Sequence, residues 1–244
     1  MKRKGAIAAT KCLLYLLILT VLFVGLYFYL QYKNMGERIS SALDKNEILI
    51  DYIIDESLSY TLINKEGTDE YGDFFVVFKK KNDTWNRIYE NDFKELMPWK
   101  LELADVDGDD NKDILVAVRK TTRYDMERKN RMFIFNYQEG ILSKKWTGSQ
   151  IAGTWRDFYP MDILPASGDE LVFIEQTEDG RERISIYSWF DFGFFRLAVS
   201  ETYPEIRHMV MTEDKLLEIT YYEEGKERSQ TLQAADGKLI AKES

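Results

Sequence analysis

Leu101-Glu-Leu-Ala-Asp-Val-Asp-Gly-Asp-Asp-Asn-Lys-Asp-Ile-Leu-Val-Ala-Val118 decides how the rest of the chain is read. An apolar run enters, a cluster of carboxylates follows, and a second apolar run leaves. Leu101 and Leu103 alternate with polar residues, and Ile114, Val116 and Val118 fall at the same spacing of two. That period predicts two strands around a loop, not two helices. Within the loop Asp105, Asp107, Asp109 and Asp113 occupy relative positions 1, 3, 5 and 9, with Asn111 at position 7. A chain curled around a cation presents oxygens at that spacing, and calcium takes about six to eight hard oxygens. Asn111 would contribute its backbone carbonyl. Four aspartates so close repel one another, by up to roughly 4 kcal/mol per pair at about 4 Å and an effective dielectric near 20. A bound cation removes that repulsion. The plainer alternative is a solvated acidic turn, since Asp-Gly and Asp-Asn are common turn formers. The loop is not an EF-hand, which needs Gly at its sixth position and Glu at its twelfth; here those are Asp110 and Val116.

Working outward, the same strand–turn–strand pattern recurs. Turn clusters at 81–83, 138–140, 191–193 and 236–237 each separate two runs rich in β-branched and aromatic residues. They repeat at roughly 45–57 residues, the period of propeller blades and similar arrays. Two further strand-like runs precede each hairpin, at 48–54 and 57–63, 99–104 and 113–118, 158–164 and 170–175, and 206–211 and 215–222. Residues 47–244 therefore read as an all-β domain of four four-stranded units, expected as a small four-bladed β-propeller. A twisted sandwich or an open blade array is the alternative.

The loop carries a family resemblance. Asp105-Val-Asp-Gly-Asp-Asp-Asn-Lys-Asp113, followed by Ile-Leu, resembles the D-x-D-G-D-G-x-x-D-L loop of FG-GAP/VCBS repeats. Those repeats are β-propeller blades of integrin α-chains and many bacterial surface proteins. The likeness covers residues 101–118; Asp110 stands where the family prefers glycine, and the Phe-Gly and Gly-Ala-Pro signatures are absent. It implies a calcium ion (Ca2+) held by Asp105, Asp107, Asp109, Asn111 and Asp113.

The amino terminus sets the expected location. Residues 1–11 carry Lys2, Arg3, Lys4 and Lys11 and no acid. Cys12 to Leu30 is then 19 residues without a charge, long enough to span a bilayer as one helix. The positive-inside rule puts the short amino terminus in the cytoplasm and the rest outside. A cleaved signal peptide is the rival reading, with Ser40-Ser-Ala42 as its only candidate site. Residues 31–46 read as a stalk or helical extension. Residues 34–244 hold 28 basic and 42 acidic side chains, a net −14. Such a balance excludes nucleic acid as a partner. The single cysteine precludes a disulfide in the β domain, which suits a bacterial surface more than an animal one.

Against that acidic background, residues 119–131 hold six basic and two acidic residues. This segment is expected as a loop on the face opposite the aspartates. Arg119, Arg123, Tyr124, Arg128 and Lys129, with Trp155 from the next connection on that face, are the candidate partner-binding residues. The expected partner is another envelope protein or a glycan. A second candidate patch is the aromatic turn Trp189-Phe-Asp-Phe-Gly-Phe-Phe195, expected on the aspartate face. Catalysis is poorly provided for: one histidine, His208, and no nucleophile elbow, phosphate loop or zinc spacing. The expectation is a membrane-anchored binding module, with an accessory subunit of an envelope complex or a glycan-active enzyme as alternatives.

Overall fold

A computed structural model describes Thr20, Phe23–Gly25 and residues 38–242, apart from positions 66, 68, 69, 83, 148–150, 152 and 166. The chain is all-β, and its strands fall into four consecutive units of four. The first is β1 (Ile48–Asp55), β2 (Leu58–Asn64), β3 (Phe74–Lys81) and β4 (Thr84–Asp92). The second is β5 (Pro98–Ala104), β6 (Asp113–Thr122), β7 (Asp125–Gln138) and β8 (Ile141–Thr147). The third is β9 (Thr154–Met161), β10 (Glu170–Gln176), β11 (Glu182–Phe190) and β12 (Gly193–Tyr203). The fourth is β13 (Ile206–Met211), β14 (Leu217–Glu223), β15 (Lys226–Ala235) and β16 (Lys238–Ala241). Each unit is an antiparallel meander with its strands in sequence order. Its tight turns use the residues such turns demand. Glu139-Gly140, Glu224-Gly225 and Asp236-Gly237 have positive φ at both central positions, the geometry whose twist matches a hairpin.

Packing follows the side-chain period. In β6, Ile114, Val116 and Val118 face the first sheet, while Leu115 and Ala117 face the third. A strand buried on both faces becomes one continuous apolar run. The third sheet is shared likewise: Leu171 and Phe173 pack toward the second sheet, Val172 and Ile174 toward the fourth.

The described sheets do not show the four-bladed propeller expected from the repeat. The third and fourth units join edge to edge through a short parallel pairing of β12 with β16, Val199 opposite Lys238 and Ser200 opposite Leu239. The resulting eight-stranded sheet curls in a barrel-like way around one core containing Ile184, Ile186, Leu217, Ile219 and Leu232. Among the described residues no core cluster joins the fourth unit to the first. The outer face of the first sheet is covered instead by Ile39, Ala42 and Leu43, packed on Ile63, Val76, Phe78 and Trp85. The described part of the expected stalk is thus docked on the domain. Its junction is tied by Glu47, which pairs with Arg87 and accepts from it twice.

The apolar segment 12–30 lies outside the described residues except for Thr20 and Phe23–Gly25, which are helical and exposed. Among the described residues no helix is long and apolar enough to cross a membrane.

Candidate functional site

The two ends of β6 carry the two candidate sites. At its start the chain from Asp105 to Asp113 folds back on itself. Asp105 accepts from the backbone N–H groups of Gly108 (2.8 Å), Asp109 (3.0 Å) and Asp110 (2.8 Å). Asp109 accepts from the Asn111 N–H at 2.9 Å, and this bond holds its carboxyl below the usual carboxylate range. Asp110 takes φ of 64°, the left-handed conformation that favours glycine. Carboxylate oxygens of Asp105, Asp107 and Asp109 lie within 4.8 Å of one another. These three of the five expected ligands form a hard-oxygen set of the kind calcium takes.

Asp113 is drawn elsewhere. It is fully buried and accepts from Asn136 Nδ2 (2.6 Å) and from Lys145 Nζ (2.9 and 3.0 Å). Lys145 also reaches Asp107 at 2.7 Å. Burial pushes the Asp113 carboxyl up, against the pull of Lys145 and Asn136. Burial alone would lower Lys145, but its bonds to Asp107 and Asp113 outweigh that and raise it. An ammonium of the protein's own thus sits among the carboxylates.

Nothing in the local pattern around Lys145 points to this role. In the β7–β8 ladder Ile134 pairs with Trp146 and Phe135 with Lys144, so Lys145 is the extra residue of a β-bulge. A bulge re-aims the side chain it inserts, and it leaves no pattern in the sequence. A second unforeseen partner is Asp169. The third-unit loop that ends at Asp169 interlocks with the second: Asp105 N–H donates to Asp169 Oδ2 (2.9 Å) and Asp169 N–H to the Asp105 carbonyl (2.6 Å).

At its far end β6 runs on with β7 as a two-stranded ribbon. Residues 119–131, expected as a loop, are ladder: Arg119 pairs with Asn130, Lys120 with Lys129 and Thr122 with Asp125. The turn is Arg123-Tyr124, with Tyr124 91% and Met126 78% exposed. Among the described residues the ribbon runs past the last pairs of its neighbours, Pro98 opposite Val118 in β5 and Thr147 opposite Phe133 in β8.

The basic residues here divide in two. Arg131 is 2% exposed, pairs with Asp125 at 2.9 Å and donates to the Lys120 carbonyl. Lys129 pairs with Asp125 and Glu127. Among the described residues Arg119, Lys120, Arg123 and Arg128 make no ion pair; Lys120 lies over the Phe133 ring and Arg123 over the Tyr124 ring. A groove of about 860 Å³ runs beside them, with Met97 and Phe133 also in its wall.

Trp155, a sequence candidate for partner binding, has no surface to offer. It is 2% exposed and packs on Trp99, Phe158 and Phe173 between the second and third sheets. The aromatic turn at 189–195 divides between a packed and an exposed side. Trp189 and Phe194 pack with Trp146 between sheets, while Phe190, Phe192 and Phe195 stand exposed. His208 is exposed on the outer face of β13 and among the described residues forms no catalytic constellation.

No protein-family model matches the chain, and no curated protein matches its sequence.

Proposed function

We propose that this protein is a membrane-anchored interaction module whose extracytoplasmic β domain presents the β6–β7 ribbon to an acidic partner at the cell envelope. One observation carries the reading. Four basic side chains, without ion pairs among the described residues, are gathered on a projecting ribbon of a segment whose net charge is −14. Exposed like charges left together gain nothing for the fold, and a charged surface of this kind steers an oppositely charged partner. The four-by-four strand plan and the Asp105–Asp113 turn support a kinship with FG-GAP/VCBS propeller blades, here in an open arrangement. In that reading calcium is held by Asp105, Asp107 and Asp109 with water, stiffening the second unit. The uncharged run 12–30 and the basic residues before it support anchoring with the carboxy terminus outside.

Binding of the full-length protein to immobilised poly-L-glutamate tests the partner reading. Binding is expected at low salt, weakening as salt rises, because screening shortens the reach of exposed charges to about 8 Å at physiological ionic strength. Arg123→Glu with Arg128→Glu should abolish it. Retention of binding by that double variant would remove the ribbon from the reading.

A further inference from the structure

The groove beside the ribbon does not end with it. The 860 Å³ groove shares Lys94, Glu95 and Phe133 with a second recess of about 540 Å³ between the first and second sheets. The two run on as one surface. Its character changes along its length. Beside the ribbon the wall carries Arg119, Lys120, Arg123 and Arg128. In the recess the floor is Phe93, Phe133 and Phe135, with Leu96 and Leu142 at the sides. Charges at that end balance in sign, Asp92 and Glu95 against Lys94 and Lys144. The floor is held rigid from below: Phe93 lies 5.4 Å from Phe75 and 5.3 Å from Phe135, ring centre to ring centre.

We propose that the partner is an extended peptide with acidic residues for the ribbon and one large apolar side chain for the recess. This rests on the ribbon being the binding surface and names what binds there. The charge step along the groove favours a peptide over other anions. An acidic glycan would answer the arginines and leave the phenylalanine floor uncovered. An anionic bilayer is flat and would meet the projecting tip at Tyr124 and Met126, not the floor behind it. A peptide can do both, because apolar and acidic side chains alternate along one backbone.

The test uses the full-length protein and fluorescein-labelled synthetic peptides read by anisotropy. One peptide carries a run of glutamates, a short spacer and a phenylalanine, made with the phenylalanine at either end. A second replaces that phenylalanine with alanine, and a third replaces the glutamates with glutamine. Burial of one phenylalanine should make the first bind about ten- to hundredfold tighter than the second. Leu142→Asp, at the side of the recess, should bring the phenylalanine peptide down to the alanine peptide and leave the latter unchanged. Leu96→Asn is the second variant should Leu142→Asp fail to fold. Equal binding of the phenylalanine and alanine peptides, both lost in Arg123→Glu with Arg128→Glu, would overturn the anchored peptide and leave the acidic-partner reading standing. No binding of any acidic peptide would overturn both. Phosphatidylglycerol vesicles that bind more tightly than either peptide, with no effect of Leu142→Asp, would make the partner a lipid surface and also overturn the proposal.

Discussion

One strand, β6, joins an acidic loop to a basic ribbon, and the protein treats the two ends differently. At the acidic end nearly every charge is answered internally. Three backbone N–H groups meet Asp105, Asn111 meets Asp109, and Lys145 bridges Asp107 and Asp113. At the basic end Arg131 and Lys129 are answered by Asp125 and Glu127, and among the described residues four more cations make no ion pair. A buried charge must find its partner inside the fold, whereas an exposed one need not. The acidic end is therefore held by the fold, and among the described residues the basic end keeps four cations outside its ion pairs.

Substitutions at the two ends should differ accordingly. The largest effect is expected from Lys145→Met, which leaves the fully buried Asp113 with Asn136 and one long bond from Val106. Breaking a buried pair from one side costs about 3 kcal/mol or more. For a domain of this size that is about 6–12 °C in Tm, and thermal denaturation reads it directly. An unchanged Tm would mean that Asp113 is hydrated, and the contrast between the ends would lose its basis. Next is Gly108→Ala. Gly108 has φ of +73°, and a Cβ there would lie 2.7 Å from the Cβ of Ser167 in the interlocked loop. The combined strain should cost about 2 kcal/mol. Adding Ser167→Gly should recover the steric share and leave the backbone share. No recovery would mean that the two loops do not press on each other.

Acidity separates the same two ends. The Asp113 carboxyl titrates above its ordinary 3.8 in the folded protein, because burial opposes its charge. A raised carboxylate takes up its proton more readily folded than unfolded, so its contribution to stability grows as pH falls toward 3.8 and is lost on the alkaline side. The stability of the wild type relative to Asp113→Asn should therefore increase on acidification from neutrality into that range. Denaturant titrations at stepped pH would show it, and a decrease would place the pair's net attraction above the burial cost.

Calcium sharpens the comparison further. If Asp105, Asp107 and Asp109 take up the ion, calcium at about 100 times its dissociation constant should stabilise the domain by about 2.7 kcal/mol. Asp107→Ala should remove that gain, and Lys145→Met, which frees Asp107 from its ammonium, should tighten binding. Asp162→Ala is the control, since Asp162 pairs on the surface with Lys215; Asp169 cannot serve, because it holds the Asp105 N–H. Calorimetry at about 5–10 mM calcium reaches the weakest extracellular sites. No heat there, in the wild type or in Lys145→Met, would make Lys145 the loop's only counter-ion.

How much of this could be read beforehand depended on where burial leaves a pattern. The sixteen strands among the described residues and their grouping by four are legible because β6 and β10 are buried on both faces and their turns need residues of positive φ. The fourth unit carries a sign of its open outer face in its sequence. Leu217-Glu-Ile-Thr-Tyr221 alternates where Ile114–Val118 is continuous, as a sheet with one wet face requires. A closed ring would have covered that face. The ribbon was hidden for the opposite reason: beyond Val118 neither face of the hairpin is buried, so no apolar period marks it as strand. Lys145 and Asp169 were hidden because a bulge and an interlock between loops are tertiary events with no local signature.

The smallest effect on stability is expected where the functional claim is strongest. Arg123 and Arg128 are exposed, and among the described residues neither is ion-paired, so replacing both with glutamate removes only the contact of Arg123 with the exposed Tyr124 ring. Surface changes of this kind fall within about 0.5 kcal/mol. The added acids could lower stability only by repelling Asp125 and Glu127, which Lys129 and Arg131 already neutralise. Arg131→Ala on the same ribbon should behave otherwise, because it strips Asp125 of its buried partner and leaves the Lys120 carbonyl without its donor. The pair of measurements therefore divides the ribbon into a part that holds its shape and a part that faces outward. A double reversal that unfolds the domain as readily as Arg131→Ala would show that the exposed arginines are structural after all, and the two ends of β6 would then be alike.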